Sequence, residues 1–457
     1  MDNSPPFPRK ITRHLTFPLL AVTLLSSFGS SMLYGFNLAV VNSPTVHIKA
    51  FYNATWYRRY GQGLTQGPLT LMYSLTVSIF ALGGFVGSFP VGILVTQYGR
   101  NGTLIRSNFL VLLAGMLMGF SRYLGSPEMV ILGRICLSVV PMYLGEIAPK
   151  NHRGFLGLVP SIFICLGVFS AQVLGLPELL GEDAYWPLFL SVVVVPAFLQ
   201  LLLLNWFPES PRYLLIEKNN VHGAAQALSL FLGQHNVQDT IAEIEEEKRS
   251  LVSVKAVSVW QLLSDHSVRF QVLSVVVINM GMQLSGIDAI WFYTNAIFEN
   301  AGIPDPDIPY TTVGTGAIEV VAGLIGFSLS LTAGVPFLMT AELFKQSHRP
   351  SAYIVGGSLN WLSNFTVGFV FPFLQMSAGA FSYLVFCGIC FLVALYVYFM
   401  IPETKNKTFM EISHFFASSH PTFFSNVPDS FKMVKLNGYG ALENSSLEFS
   451  GSVSNLP

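Results

Sequence analysis

The stretch "GMQLSGIDAIWFYTN" at 281–295 sets Gln283, Ser285, Asp288 and Asn295 among Met, Ile, Trp and Phe. Groups of this kind in hydrocarbon need a partner or water, because an unpaired polar group there is costly. A carboxylate in mid-membrane costs at least ~2.5 kcal/mol on insertion scales unless it faces water or a partner. Asp288 and, in a later apolar run, Glu319 are therefore functional candidates on chemistry alone. The chemistry they suggest is recognition: no nucleophile and base pair, phosphate-binding loop or metal-ligand spacing emerges, and no cofactor, metal or enzymatic role is expected.

The elements that would position these groups are membrane helices. Of 457 residues 52% are hydrophobic and 11% charged, against roughly 25% charged in soluble proteins. Apolar runs recur at 17–41, 69–94, 104–121, 155–176, 186–206, 270–298, 351–375 and 381–401, each near the ~20 residues that span a bilayer. Period-two alternation is absent, so the class is an all-α membrane protein rather than a barrel. The net charge of −1 and scattered basic residues give no sign of a nucleic-acid partner. Four cysteines, Cys387 and Cys390 among them, read as packing residues in apolar surroundings.

Basic residues at Arg100 and Arg106, Lys150 and Arg153, in 207–269, at Lys345 and Arg349, and at Lys405 and Lys407 put those segments on the cytoplasmic side. Both termini are then cytoplasmic, and the loop with the sequon Asn53-Ala54-Thr55 is external, which makes Asn53 a glycosylation candidate. The expected organisation is a cytoplasmic N-terminus (1–16), a first membrane bundle (17–206), solvated linker helices (207–269), a second, shortened bundle (270–401) and a cytoplasmic tail (402–457).

The halves repeat. "PMYLGEIAPKNHRG" carries Glu146 and, seven residues on, Arg153; "PFLMTAELFKQSHRP" carries Glu342 and Arg349 at the same spacing. "PESPR" (Glu209, Arg212) follows the first by 63 residues and "PETK" (Glu403, Lys405) the second by 61. Two parallel repeats around a central site are a plan of secondary transporters that rock one half against the other. Arg100, Glu146, Arg153, Glu209, Arg212, Glu342, Arg349 and Glu403 are expected to form a cytoplasmic ion-pair network that holds an inner gate, or else to cap helices and mark topology.

Taken together, "GR" at 99–100, "PMYLGE" with "RG" at 153–154, "PESPRYLL", "QLSG", "NWLSNF" and "PETK" resemble the facilitative sugar transporters of the major facilitator superfamily, over about residues 17–412. "AIWFYTN", "LGLPELLG" and "TGAIE" resemble the family's fructose and urate branch, the urate-transporting member most. The resemblance implies a uniporter of the plasma membrane, working by alternating access on a small-molecule substrate: a hexose (glucose or fructose) or urate. It implies that Gln172, Gln283, Asn295, Asn360, Trp361 and Asn364 face substrate or its immediate shell, with Asp288 and Glu319 as further candidates, and that Tyr293 and Phe337 stand at gates. The first span, "SSFGSSMLYGFNLAVVN", lacks the acid usual in proton-coupled relatives, which favours facilitated diffusion. The oligomeric state is left open.

The chain departs from the family in places. Met282, Ser161 and Phe337 replace usual Gln, Gln and Trp, and Asp288 and Glu319 stand where many members have Asn. Asn360 replaces the His expected of the fructose carrier. Two internal segments are missing. Only 17 residues remain between Glu128 and Glu146 for the fourth span, about 26 Å of helix against a ~30 Å core, with Arg134 mid-span. After "GAIEVVAGLIG" the family's ninth span and the first half of its tenth are absent, which leaves a fused run over 310–340 expected to break at Gly323, Gly326, Gly334 and Pro336. The expected fold is thus two helical bundles of six and about four spans. The alternatives to a carrier are a transport-incompetent splice form and a sugar-sensing membrane protein.

Overall fold

The computed structural model of the chain describes residues 16–137, 153–233, 237–253, 257–328, 339–340, 343–344 and 347–402; every regular element among them is helical. Seven stretches are long and apolar enough to cross a membrane. The last, Arg349–Met400, holds two helices.

Helix α1, Phe17–Ala39, starts where the Thr16 hydroxyl accepts from Leu19 N and Pro18 fills the first turn, a position at which a missing N–H is harmless. A π turn at Ser27–Ser31 interrupts it; there Gly29 lies against buried Gln200, and a Cβ would meet Gln200 Cδ at 2.2 Å. Next come α2, Thr45–Tyr60, and α3, Gln66–Phe120, whose two limbs meet at Gly99 (φ 77°, ψ −173°). Then follow α4, Pro127–Leu137, α5, Arg153–Leu174, and α6, Trp186–Leu204. Helices α1 and α5 touch backbone to backbone: a Cβ on Gly35 would lie 2.0 Å from Ile164 O, and one on Gly167 2.1 Å from Met32 O. Small residues permit such approach where dispersion rather than water drives packing.

Helix α4 carries the short fourth span's Arg134, which is fully buried. Its Nε donates to Thr76 O, one terminal nitrogen to Val77 O and the other to Asn37 O, each at 3.1 Å, and its guanidinium lies 5.2 Å from the Phe80 ring. Residues 138–146 of this span lie outside the described residues; the described part is regular helix with its cation satisfied.

The linker holds α7, Pro211–Ile216, α8, Val221–Leu232, α9, Gln238–Ser253, and α10, Val259–Ser264. It is more than a solvated pair: Leu215, Ala224, Leu228, Val237, Ile241 and Ile244 form a core of their own. The second half contains α11, Arg269–Leu284, α12, Ile287–Asn300, α13, Ile308–Ser328, α14, Arg349–Ala378, and α15, Ser382–Met400. The expected breaks at Gly323 and Gly326 do not occur, since α13 runs through both. Within lipid no water competes for backbone hydrogen bonds, so glycine interrupts a helix less there than in water. Gly334 and Pro336 lie outside the described residues. One continuous apolar cluster joins the halves, from Phe36, Tyr52, Tyr73 and Phe80 to Phe292, Val367 and Phe371.

Candidate functional site

The site is built on the interruption between α11 and α12. Gly286 there has φ +91°, and a Cβ would sit 2.7 Å from the Phe386 ring, so glycine is required twice over. The interruption leaves Gln283 in the last turn of α11 and Asp288 in the first turn of α12, where the helix N-terminus favours a carboxylate. Facing them on α14, one turn apart, are Asn360 and Asn364. Gln283 Nε2 donates to Asn360 Oδ1 at 3.1 Å, and Asn364 Nδ2 donates to Asp288 Oδ2. Gln283, Asp288 and Asn364 are buried and Asn360 half-buried. The carbonyl oxygens of two of these amides, Gln283 Oε1 and Asn364 Oδ1, are buried with no protein partner.

Trp361, beside Asn360, meets the first half. Its ring is edge-on to Tyr34 of α1 (5.9 Å between centroids) and to Phe80 of α3 (6.2 Å), and it covers Gly84, where a Cβ would come within 2.7 Å of the indole. On α5 the buried Gln172 keeps its Oε1 unpartnered against Gly316 of α13. Glu319, one turn on, is half-buried beside Cys165, with its Oε2 buried and unpartnered. The structure thus brings Gln172, Gln283, Asp288, Glu319, Asn360, Trp361 and Asn364 to the junction of the two halves.

Asn295 and Tyr293 lie elsewhere. Asn295 Oδ1 accepts from Asn42 Nδ2 (2.9 Å) and Thr312 Oγ1 (2.8 Å), and its backbone N–H donates to Asn42 Oδ1 (2.9 Å). Its carbonyl is thus engaged in tying the turn after α1 to α12 and α13. Tyr293 interrupts α12 (φ −131°, ψ 22°), donates to Gly368 O at 2.6 Å and packs on Tyr73 and Phe371. Nearby, Tyr310 donates to Glu178, a second tie between the halves. Two side-chain ties thus cross between the halves at this end.

At the other end the Glu209 carboxylate meets backbone. Its Oε1 accepts from the N–H groups of Arg100 (2.8 Å), Asn101 (3.1 Å) and Ser210 (2.9 Å), and its Oε2 from Gly102 (3.3 Å). It caps the second limb of α3 just past Gly99, as an anion suits a helix N-terminus. Tyr213 closes the first limb by donating to Gln97 O (3.0 Å), with the Arg100 guanidinium 5.4 Å from its ring. Arg212 lies in α7 and Arg349 Nε donates to Phe344 O at 2.9 Å. Arg153 opens α5, but its side chain, like Glu146, Glu342, Glu403 and Phe337, lies outside the described residues. Asn53 is exposed on α2 rather than on a loop, its Oδ1 accepting from Leu64 N, while Thr55 of the sequon is buried.

Sequence reasoning missed Asn42, Thr312, Tyr34 and the carbonyls that hold Arg134. Asn42 ends the "NLAVVN" segment, and its polarity at a span end was the available signal; the carbonyl acceptors leave no trace in side-chain chemistry.

The profile of the family described as "Sugar (and other) transporter" matches residues 22–334 and 324–416. The two matches overlap at 324–334. The mouse "Solute carrier family 2, facilitated glucose transporter member 9" is 45% identical, with 89% of this chain and 87% of the relative covered. Its alignment runs over 467 positions, more than this chain's 457 residues, so the relative carries residues with no counterpart here. The sheep "facilitated glucose transporter member 5" is 42% identical over 90% of this chain and 94% of the relative. Among solved structures, the proton:xylose symporter XylE bound to 6-bromo-6-deoxy-D-glucose superposes with TM-score 0.68 at 19% identity, over 88% of this chain and all of that one; the inward-open xylose transporter of E. coli gives 0.67 at 20%, over 87% and 99%.

Proposed function

The chain belongs to the sugar (and other) transporter family within the major facilitator superfamily, and from that membership we propose that it is a facilitative carrier moving a hexose, glucose or fructose, or urate through a membrane by alternating access. The observation that carries this reading is the junction cluster: Gln283 with Asn360 and Asp288 with Asn364, buried between two helical halves with amide oxygens left to accept from a solute. Such convergent polar groups in an apolar setting are what a desolvated ligand needs. Gln172, Trp361 and Glu319 complete its walls, Tyr293 with Asn295 shuts the outer end, and the Glu209–Arg100 region belongs to the inner end. Glu146, Arg153, Arg212, Glu342, Arg349 and Glu403 extend that inner set. Asn53 carries a glycan outside the plasma membrane, and both termini are inside.

Uniport is supported by α1, which carries no acid; the group facing Arg134 from that helix is the Asn37 carbonyl. In vesicles holding this chain alone, labelled glucose, fructose or urate should enter saturably, stop at equal concentrations on both sides, and ignore collapse of a proton gradient. If none enters above background while the protein is inserted and folded, the reading fails. One observation favours a transport-incompetent form instead: α13 and α15 leave Ile318, Val321, Leu384, Phe391, Leu392 and Phe399 exposed, as helices missing a neighbour would. The same measurement separates the two.

A further inference from the structure

We propose that α10 is a membrane-surface anchor: Trp260 and Leu263 insert into the headgroup boundary of the leaflet on the linker's side, so the partner of this face is lipid. The first ground is the helix itself. Leu262 is buried against Val275, Leu343, Phe344 and Ala352, whereas Trp260 is 78% exposed and Leu263 50%. Trp260 and Leu263 stand three residues apart and share one face. A large apolar pair turned away from the protein finds its solvent in lipid, and indole favours the membrane–water interface, where its ring is apolar and its N–H is wet.

The second ground is where α10 stands. Only residues 265–268 separate it from α11, which opens the apolar stretch Arg269–Asn300. Other spans carry exposed aromatics at their linker-side ends. Phe17 opens α1, where Thr16 donates to Phe231 O of α8; Trp206 follows the end of α6. Tyr398 and Phe399 close α15, whose Tyr396 hydroxyl lies 3.2 Å from Ser274 Oγ near the start of α11. Such aromatics mark one interface, and Trp260 joins them from the linker. On α9, by contrast, the outward pair is Glu246 and Arg249, 3.4 Å apart and suited to water.

The third ground is that α10 is braced. Ser258 Oγ accepts from the Gln261 N–H (3.2 Å) and Gln261 Oε1 from the Ser258 N–H (3.0 Å), a reciprocal cap that sets the helix start. The Val257 N–H donates to Ser347 O (3.1 Å) and Ser351 Oγ to Val257 O (2.6 Å), which joins that start to the beginning of α14. At the other end Asp265 Oδ2 lies 3.8 Å from His348 Nε2. A short helix with an apolar face in the interface, held in this way, fixes the depth at which α11 and α14 enter the bilayer. Helix α14 carries Asn360, Trp361 and Asn364.

The test places the full chain in phosphatidylcholine nanodiscs and compares the tryptophan fluorescence of the wild type with that of Trp260→Phe, the difference being the Trp260 signal. Glu246→Trp supplies a water-facing reference on α9. Lipids bearing a nitroxide near the headgroup should quench the Trp260 signal about threefold more than the signal added by Glu246→Trp, and aqueous acrylamide should quench it about threefold less. Equal quenching of the two signals by either agent overturns the inference. Should Trp260→Phe fail to fold, Leu263→Trp, read as an addition to the wild-type spectrum, makes the same comparison from the neighbouring position on the face, and the same outcomes decide.

Discussion

Three apolar stretches, each long enough to cross a membrane, behave differently. In Gln66–Pro90, 61% of the apolar window is buried in protein; in Asp305–Ile325 the share is 17%, and in Arg349–Met400 it is 6%. All are helices a bilayer would accept, so apolarity alone does not say whether a neighbour is protein or lipid. The first half meets its helices backbone to backbone at Gly35 and Gly167 and satisfies a buried arginine inside the bundle. The second leaves α13 and α15 with large side chains turned outward, Ile318, Phe391 and Tyr398 among them. The teaching is that the looser packing of α13 and α15 coexists with a polar cluster that α11, α12 and α14 assemble.

The largest expected effect tests the well-packed half. Arg134→Ala removes three buried hydrogen bonds, each worth about 1–1.5 kcal/mol net, so thermal unfolding in detergent should show a loss of about 3–5 kcal/mol. A change under 1 kcal/mol would mean that water or another donor reaches Thr76, Val77 and Asn37. Next comes a matched pair of glycines. Gly167→Ala drives a Cβ into Met32 O and should cost about 1–3 kcal/mol. Gly388→Ala in α15 meets nothing within 4 Å and should be neutral or gain up to about 1 kcal/mol from helix propensity. Equal effects at the two sites would erase the contrast between the halves.

A membrane-soluble thiol reagent sharpens it further: the exposed Cys387 and Cys390 of α15 should react several-fold faster than the half-buried Cys136 and Cys165, as read by mass spectrometry of timed samples. The smallest effect lies at the rim of the first half. Hydrogen bonds from Arg59 and then Ser126 hold the Glu128 carboxylate down at about 2, against an ordinary 4.5. Because the folded value is the lower one, the contact's stabilisation is full above about 4.5 and fades as pH falls toward 2. Solvent screening at this exposed pair keeps the effect well below what the shift suggests. Glu128→Gln should therefore flatten only slightly the fall of stability between those pH values, and a steep fall that survives the change would place it elsewhere.

Particular residues show how much was legible. The family motifs and the polar residues of "QLSGID" and "NWLSNF" led to a buried cluster, because a polar side chain in a greasy helix is rare enough to be read one residue at a time. Asn295 was legible as polar but not as a tie to Asn42 and Thr312, since its partners stand 253 and 17 residues away. Glu209 was legible as charged, yet the backbone amides past Gly99 that receive it carry no sequence signature.

By composition and spacing alone, the sequence determined an all-helical membrane chain with two related halves, because hydropathy over ~20 residues is set locally by the bilayer. Which oxygens remain free, that Arg134 is held by carbonyls, and which helices face lipid were decided only by the tertiary structure. Those properties depend on atoms brought together from distant spans, and hydrogen-bond satisfaction is a fact about neighbours rather than about residue types.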